Sequence, residues 1–270
     1  MSDTAKKRGL IEAIGSAVLN GISYIGGMAL LLSDTFKTTI ETFKRPSSRR
    51  AIVMQMHRVG VRSVGIVCLV QIFIGVILTL QLAPPLKPWG QVDKIANIIG
   101  VAGFRMLGPI LTAVVISGFA GASIAAEIGT MVVAEEIEAL RASALNPVRF
   151  LVVPRILATF VMMIFLTIIA DWMIALGGYL TSLLVLAPKV SIGYWGRMQE
   201  QLRMRDVVSG LILAGAFGII ISLIACHEGL KVRGGAEGVG RATTMTVVYS
   251  IVGIVVMACI FTMIFYVFNF

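Results

Sequence analysis

Charge is scarce in this chain of 270 residues: Asp, Glu, Lys and Arg together make 14% of it, against 57% hydrophobic residues. Soluble globular domains carry about 25% charged residues. With a mean hydropathy of +0.93, the composition excludes an ordinary water-soluble fold, and several runs reach the roughly 20 apolar residues that cross a bilayer. Histidine is almost missing. His57 and His227 are the two present, each at the edge of an apolar run with no Cys, Asp or second His at ligand spacing, which removes a His-based metal or catalytic centre. Cys68, Cys226 and Cys259 fall in or beside apolar runs with no Cys-x-x-Cys pair, and read as reduced, small core residues. No Gly-Lys-Ser or Gly-Lys-Thr occurs, so no nucleotide cradle of that kind is encoded, and no nucleophile elbow or paired-carboxylate arrangement appears. Neither an enzyme nor a cofactor site is expected in this chain. Cleavable-signal features are weak, since Glu12, Asn20 and Asp34 interrupt the stretch after Lys6-Lys7-Arg8.

What charge there is has one dominant sign, a net +9. The basic residues flank apolar segments and lack interleaved aromatics, so anionic lipid headgroups suit them and nucleic acid does not. Ile11, Ile14, Val18, Ile22, Ile25, Ala29, Leu32, Phe36, Ile40 and Phe43 recur every three or four residues, with Glu12, Ser16, Asn20, Lys37 and Glu41 off the stripe. That pattern predicts an amphipathic helix lying in the membrane interface, the alternative being an extra span over 17 to 33. Residues 1–48 form this N-terminal interfacial unit and 49–270 a five-span domain.

After a basic collar (Arg49, Arg50, His57, Arg58, Arg62), the first span is expected from Ser63 to Leu82, with Pro84-Pro85 and Pro88 ending it in a loop. The second runs from Met106 to about Ala134, the third from Val152 to about Leu176, the fourth from Val207 to about Cys226 and the fifth from Thr244 to Phe268. The third run stays apolar past Gly177-Gly178 to Pro188, which fits either one tilted helix or a helix with an interfacial tail. The fold class is therefore an all-α integral membrane protein. Sixteen of the 23 Lys and Arg residues lie on one side of this layout. By the positive-inside rule the N-terminus, the 135–151 loop and the 227–243 loop face the cytoplasm and the C-terminus lies outside.

Two stripes of small residues, Ser117/Gly121/Ala125/Gly129 and Gly210/Ala214/Gly218/Ser222, predict close helix–helix approach, within one subunit or between subunits. Glu127 and Asp171 are the acidic residues deep in the spans; Ser123 and Thr167 precede them by one turn and offer hydrogen bonds. With no intramembrane Lys, Arg or His near them in sequence, structural pairing or a neutral carboxyl is expected. A proton relay through either is the alternative, and would make a proton-coupled secondary transporter.

Between the second and third spans, Glu135 to Asn146 combines good helix formers with Ile137, Leu140 and Ala144 at spacings of three and four; Glu135 and Glu136 favour a helix N-terminus, and Pro147 blocks continuation. This is either an interfacial linker or a docking element for a soluble partner. The run from Gly229 to Thr244, rich in glycine, predicts a tight re-entrant turn capped by Thr243 or Thr244.

Leu107-Gly108-Pro109, Ala120 to Ser123 continuing through Ala126-Glu127-Ile128-Gly129-Thr130-Met131, Glu136 and Leu140 up to Asn146-Pro147, and Gly235 to Thr244 with Val247-Val248 resemble, in order over about residues 50 to 268, the MlaE/YrbE permease family. The resemblance implies an ABC transporter permease of the bacterial inner membrane, working as a homodimer or paired heterodimer and moving lipids, chiefly glycerophospholipids, between inner and outer membranes. It implies a cytoplasmic ABC ATPase holding the ATP and Mg, a periplasmic MCE-domain protein and, in some systems, a STAS-domain protein. On that resemblance Glu135, Glu136, Ile137, Leu140, Arg141 and Ala144 belong to the coupling helix. Gly235, Glu237, Gly238, Gly240 and Arg241 belong to a second cytoplasmic loop, and the first, second and fifth spans line the lipid pocket. Where many members have Arg-Glu-Leu-Gly-Pro and Gly-Arg-Ala-Gly, this chain has Met106 and Phe119, which removes a charge pair at the expected pocket mouth.

Overall fold

The computed structural model describes residues 2–43, 46–186 and 188–268, with side chains outside 1–14, 16–18, 20, 40–48 and 187–189. Among the described residues five helices are long and apolar enough to cross a membrane: Arg49–Leu86, Val92–Val133, Val148–Leu184, Met204–Leu230 and Gly235–Val267. They are preceded by one helix, Ser2–Phe43. The expected order stands, but every span is longer than its apolar run, because helix propensity and packing carry the backbone past the point where composition turns polar.

At Pro84-Pro85 the expected stop fails: the first span runs through both prolines to Leu86. A proline removes its own N–H and crowds the carbonyl four residues back, a penalty confined here to the last turn, beyond which the Lys87 amide still reaches the Ala83 carbonyl at 3.1 Å. Residues 95–102, expected in a loop, are helical and lead into the second span. The third span resolves as one helix from Val153 to Leu184 after a π-helical turn at Val148–Val152. Gly177 is an interior contact of that helix: a Cβ there would strike the Ile72 carbonyl, and a Cβ on Gly75 would strike the Ile174 carbonyl. The first and third spans thus cross backbone to backbone at reciprocal glycines, a packing lipid-embedded helices favour.

Both small-residue stripes pack inside the subunit. A Cβ on Gly121 meets Ile221 and Thr246 at 3.3 and 3.5 Å, one on Gly129 meets Val232, and Gly218 sits against the Phe160 Cα and Thr159 carbonyl. One core cluster runs through the second, third, fourth and fifth spans, around Ile116, Ile128, Leu166, Phe217 and Ile254. Of the cysteines, Cys226 alone is core; Cys68 is half-buried, Cys259 is exposed, and all three are free. The aromatic residues Trp172, Tyr179, Tyr194 and Trp195 cluster with ring centroids 5.7 to 5.9 Å apart between the C-terminal half of the third span and the helix Tyr194–Gln201.

The N-terminal helix rests on the bundle by one face, which takes in Leu32 of its apolar stripe. Met28 and Leu31 pack on the core, Thr35 is buried, and a Cβ at Gly27 would stand 2.8 Å from the His227 ring. Ile22, Ile25 and Phe36 are exposed. Ile11, Ile14, Val18, Ile40, Phe43, Glu12, Ser16, Asn20 and Glu41 lie outside the described side chains.

Candidate functional site

The second span ends at Val133, and Glu135 turns the chain in the left-handed region at φ 59. A short helix follows, Glu136–Ala142, and Ala144 at φ 56 ends it. Left-handed backbone in residues with a Cβ costs about 1–2 kcal/mol each, so the helix is held at a fixed angle by the packing around it. The expected helix to Asn146 is shorter for this reason, and Ala144 lies beyond its end rather than on its stripe. Asn146 Oδ1 instead accepts the Val148 amide at 2.9 Å, capping the third span after Pro147. Ile137 is buried in the main core and Leu140 is half-buried. The apolar side is therefore seated on the protein's own body. Glu135, Glu136, Glu138 and Arg141 point outward, an acid-rich face.

In the second span, two to three turns before this element, lies a charge cluster centred on Glu127. Arg58, on a π-helical turn at His57–Val61, donates to Glu127 Oε1. Arg155, in the first turn of the third span and 4% exposed, donates from Nη2 to Glu127 Oε2 at 3.1 Å. Both carboxylate oxygens are engaged by guanidinium groups, so the expected Ser123 bond is displaced; Ser123 is exposed at the rim of a small cavity with Arg58, Phe119 and Glu127. The pairing joins the starts of the first and third spans to the end of the second. Neither arginine was singled out from sequence as a Glu127 partner, because they lie 69 and 28 residues from it; the available signal was a cation at position 155 past the start of an apolar run.

The fifth span begins at Gly235 rather than Thr244. Gly235, Glu237, Gly238, Gly240 and Arg241, expected in a loop, form its first turns, and the connection shrinks to residues 231–234, with Gly234 at φ 89 supplying the left-handed turn. Thr243 bonds back to the Gly240 carbonyl at 2.7 Å and caps nothing. Gly238 is required because a Cβ there would strike the Arg233 carbonyl. This connection and the 136–142 helix occupy the same end of the bundle, since Gly129 in the last turns of the second span abuts Val232 and Val239. His227, expected at an interface, is buried against Tyr24 with ring centroids 4.9 Å apart.

Asp171 is 2% exposed, and its Oδ1 has no partner among the described residues; neither does Thr167 Oγ1, so the expected bond between them is absent. A Cβ on Gly108 would strike Asp171 Oδ1. Gln71 donates to Thr112 Oγ1 at 3.0 Å and to the Gly108 carbonyl at 3.4 Å, which makes a buried polar patch where the first, second and third spans meet. Gly108 therefore serves close approach.

Toward the opposite end, Asn97, Val101, Ala102, Arg105, Met106 and Gln201 line a cavity of about 540 Å³. Arg105, on a π-helical turn, pairs with Asp206 at 3.4 Å, and Asp206 also caps the fourth span through the Arg203 amide. Met106 and Phe119 are 13 positions apart on one helical element, about 20 Å by helical rise, so they do not form a pair at one mouth.

Five apolar helices, a half-buried ion cluster at one end and a short surface helix between two spans define a multi-pass membrane protein. A family described as Permease MlaE matches residues 52–264. The chain is 33% identical over 257 residues to a probable ABC transporter permease protein of Rickettsia felis, covering 95% of this chain and 98% of that one. It is 31% identical to the intermembrane phospholipid transport system permease protein MlaE of Haemophilus influenzae, over 89% of this chain and 91% of that protein. To the chloroplastic protein TRIGALACTOSYLDIACYLGLYCEROL 1 of Arabidopsis thaliana it is 35% identical, over 76% of this chain and 58% of that one. The chain belongs to the MlaE permease family of ABC transporters.

Proposed function

We propose that this protein is the membrane subunit of an ABC transporter that moves glycerophospholipids between the inner and outer membranes, with the Glu136–Ala142 helix as the element that receives force from a separate ATPase. The observation that carries this is the build of that helix: Ile137 anchors it in the bundle core while its acidic face stands free. A rigid element rooted in the core by one side chain moves the spans when it is moved. The Haemophilus relative, an intermembrane phospholipid transport system permease, supports the cargo class. ATP and Mg reside on the partner chain.

In this reading the protein sits in the bacterial inner membrane with the 136–142 helix cytoplasmic and the C-terminus periplasmic, the N-terminal helix lying in the interface. In the first and fifth spans 28% and 17% of the most apolar stretch is buried, against 61% in the fourth. Those open faces suit a second permease copy, with lipid held between copies by apolar walls. A periplasmic MCE-domain protein completes the assembly, joined in some systems of the family by a STAS-domain protein. The ion-paired Glu127 leaves the proton-coupled alternative to Asp171 alone.

Glu136→Lys combined with Glu138→Lys tests the docking face, since both side chains are exposed and the fold does not depend on them. Co-purification of the ATPase should be lost while the permease stays monodisperse. Retention of the ATPase at wild-type level refutes the docking role.

A further inference from the structure

Where the N-terminal helix meets the fourth and fifth spans, two hollows share Tyr24, Lys231 and Tyr249. One, of about 340 Å³, is bordered by Lys231, Arg233, Arg241 and a single carboxylate, Glu228. The other, of about 800 Å³, is walled by Met28, Ile220, Ile224, Val252 and Val256. Both lie within the usual range for ligand sites, about 300–1,000 Å³. The three cations make no salt bridge with a described residue, although Lys231 Nζ stands 5.1 Å over the Tyr24 ring. Three positive charges facing one negative charge leave a local excess of two. The apolar hollow adjoins that excess across Tyr24, Lys231 and Tyr249, at the end of the bundle that carries the connecting helix.

We propose that this composite groove is a binding site for an anionic phospholipid, distinct from the transported cargo, with the headgroup phosphate on Lys231, Arg233 and Arg241 and an acyl chain along Ile220, Ile224, Val252 and Val256. Basic pockets between membrane helices attract anionic headgroups, each cation contributing at close range. A zwitterionic lipid offers the same chain and no net charge, so the cationic rim selects by headgroup. Burial, and next the Glu228 carboxylate, raise the Tyr24 phenol above its ordinary value, so it remains a protonated donor at the junction of the two hollows. The lipid would bridge the N-terminal helix to the fifth span, whose face at Tyr249, Val252, Gly253 and Val256 turns toward that helix. It would act as a fixed ligand of the fold.

The test is native mass spectrometry of the purified full-length chain in detergent, titrated with phosphatidylglycerol or phosphatidylcholine carrying the same acyl chains. Wild type should retain phosphatidylglycerol preferentially. The combined variant Lys231→Gln, Arg233→Gln, Arg241→Gln should lose that preference and bind phosphatidylglycerol about tenfold or more weakly, whereas the remote pair Lys87→Gln, Lys94→Gln should bind as wild type. Val256→Trp, which fills the groove from an exposed position, should also weaken retention and serves if the triple variant does not fold. Equal retention of both lipids by wild type, an equal loss in the remote pair, or displacement of the lipid by excess inorganic phosphate each overturns the proposal. Binding is read without ATPase or transport, so failure here is separate from failure of the transport reading.

Discussion

Arg155 Nη2 lies 3.1 Å from Glu127 Oε2, which ties the start of the third span to the last turns of the second. Arg155 is 4% exposed and Glu127 26% exposed at the side chain, so removing Glu127 leaves the Arg155 charge with little water to compensate it, and removing Arg155 leaves Glu127 with Arg58 alone. Glu127→Gln and Arg155→Gln should each lower the thermal unfolding temperature in detergent. The double variant should lose less than the sum of the two, with a coupling of about 1–3 kcal/mol. Additive losses would show that the pair carries no shared energy.

The reciprocal crossing at Gly75 and Gly177 places backbone on backbone, with no flexible side chain to yield. Gly75→Ala and Gly177→Ala should each cost about 1–3 kcal/mol or more from overpacking and reduce the monodisperse yield on size exclusion. Gly65→Ala and Gly118→Ala face open space and should be neutral or slightly stabilising, by up to about 1 kcal/mol from helix propensity. Equal tolerance at all four positions contradicts the crossing.

Gly108 and Asp171 predict a rescue. Gly108→Ala should destabilise, because the added methyl meets the Asp171 carboxyl, and Asp171→Ala in the same chain should recover part of the loss. Asp171→Asn should leave lipid transport intact. Transport abolished by Asp171→Asn, and running on a pH gradient without the ATPase, would establish the proton-coupled alternative instead.

Sidedness can be read by labelling. With Cys68, Cys226 and Cys259 replaced by Ala, Ala142→Cys should react with a membrane-impermeant maleimide only in inverted inner-membrane vesicles, and Lys87→Cys only in intact spheroplasts. Both positions are exposed, at opposite ends of the bundle. The reversed pattern places the connecting helix outside and removes its access to an ATPase.

Span number, span order, the placement of the short helix before Pro147 and the family resemblance were all legible along the chain, since each depends on contiguous residues: an apolar run, a cap, a proline, a motif in order. Span ends were less legible. Pro84-Pro85 signals a stop, yet the helix absorbs both in its final turn; the glycines from 235 to 240 signal a loop, yet they begin the fifth span. Local propensity there is weaker than the energy of continuing a packed helix.

The site divides the same way. Ile137 and Leu140 were recognisable as an apolar stripe, but periodicity does not say against what a stripe is laid, and here it is laid on the protein itself. Hydropathy and charge spacing made this chain a five-span membrane protein before any contact was considered, because insertion into lipid is decided one segment at a time. The guanidinium partners of Glu127, the isolation of Asp171 and the outward turn of Glu136 and Glu138 arose when helices distant in sequence crossed. Such contacts depend on rotation and registry between packed helices, which no single segment encodes.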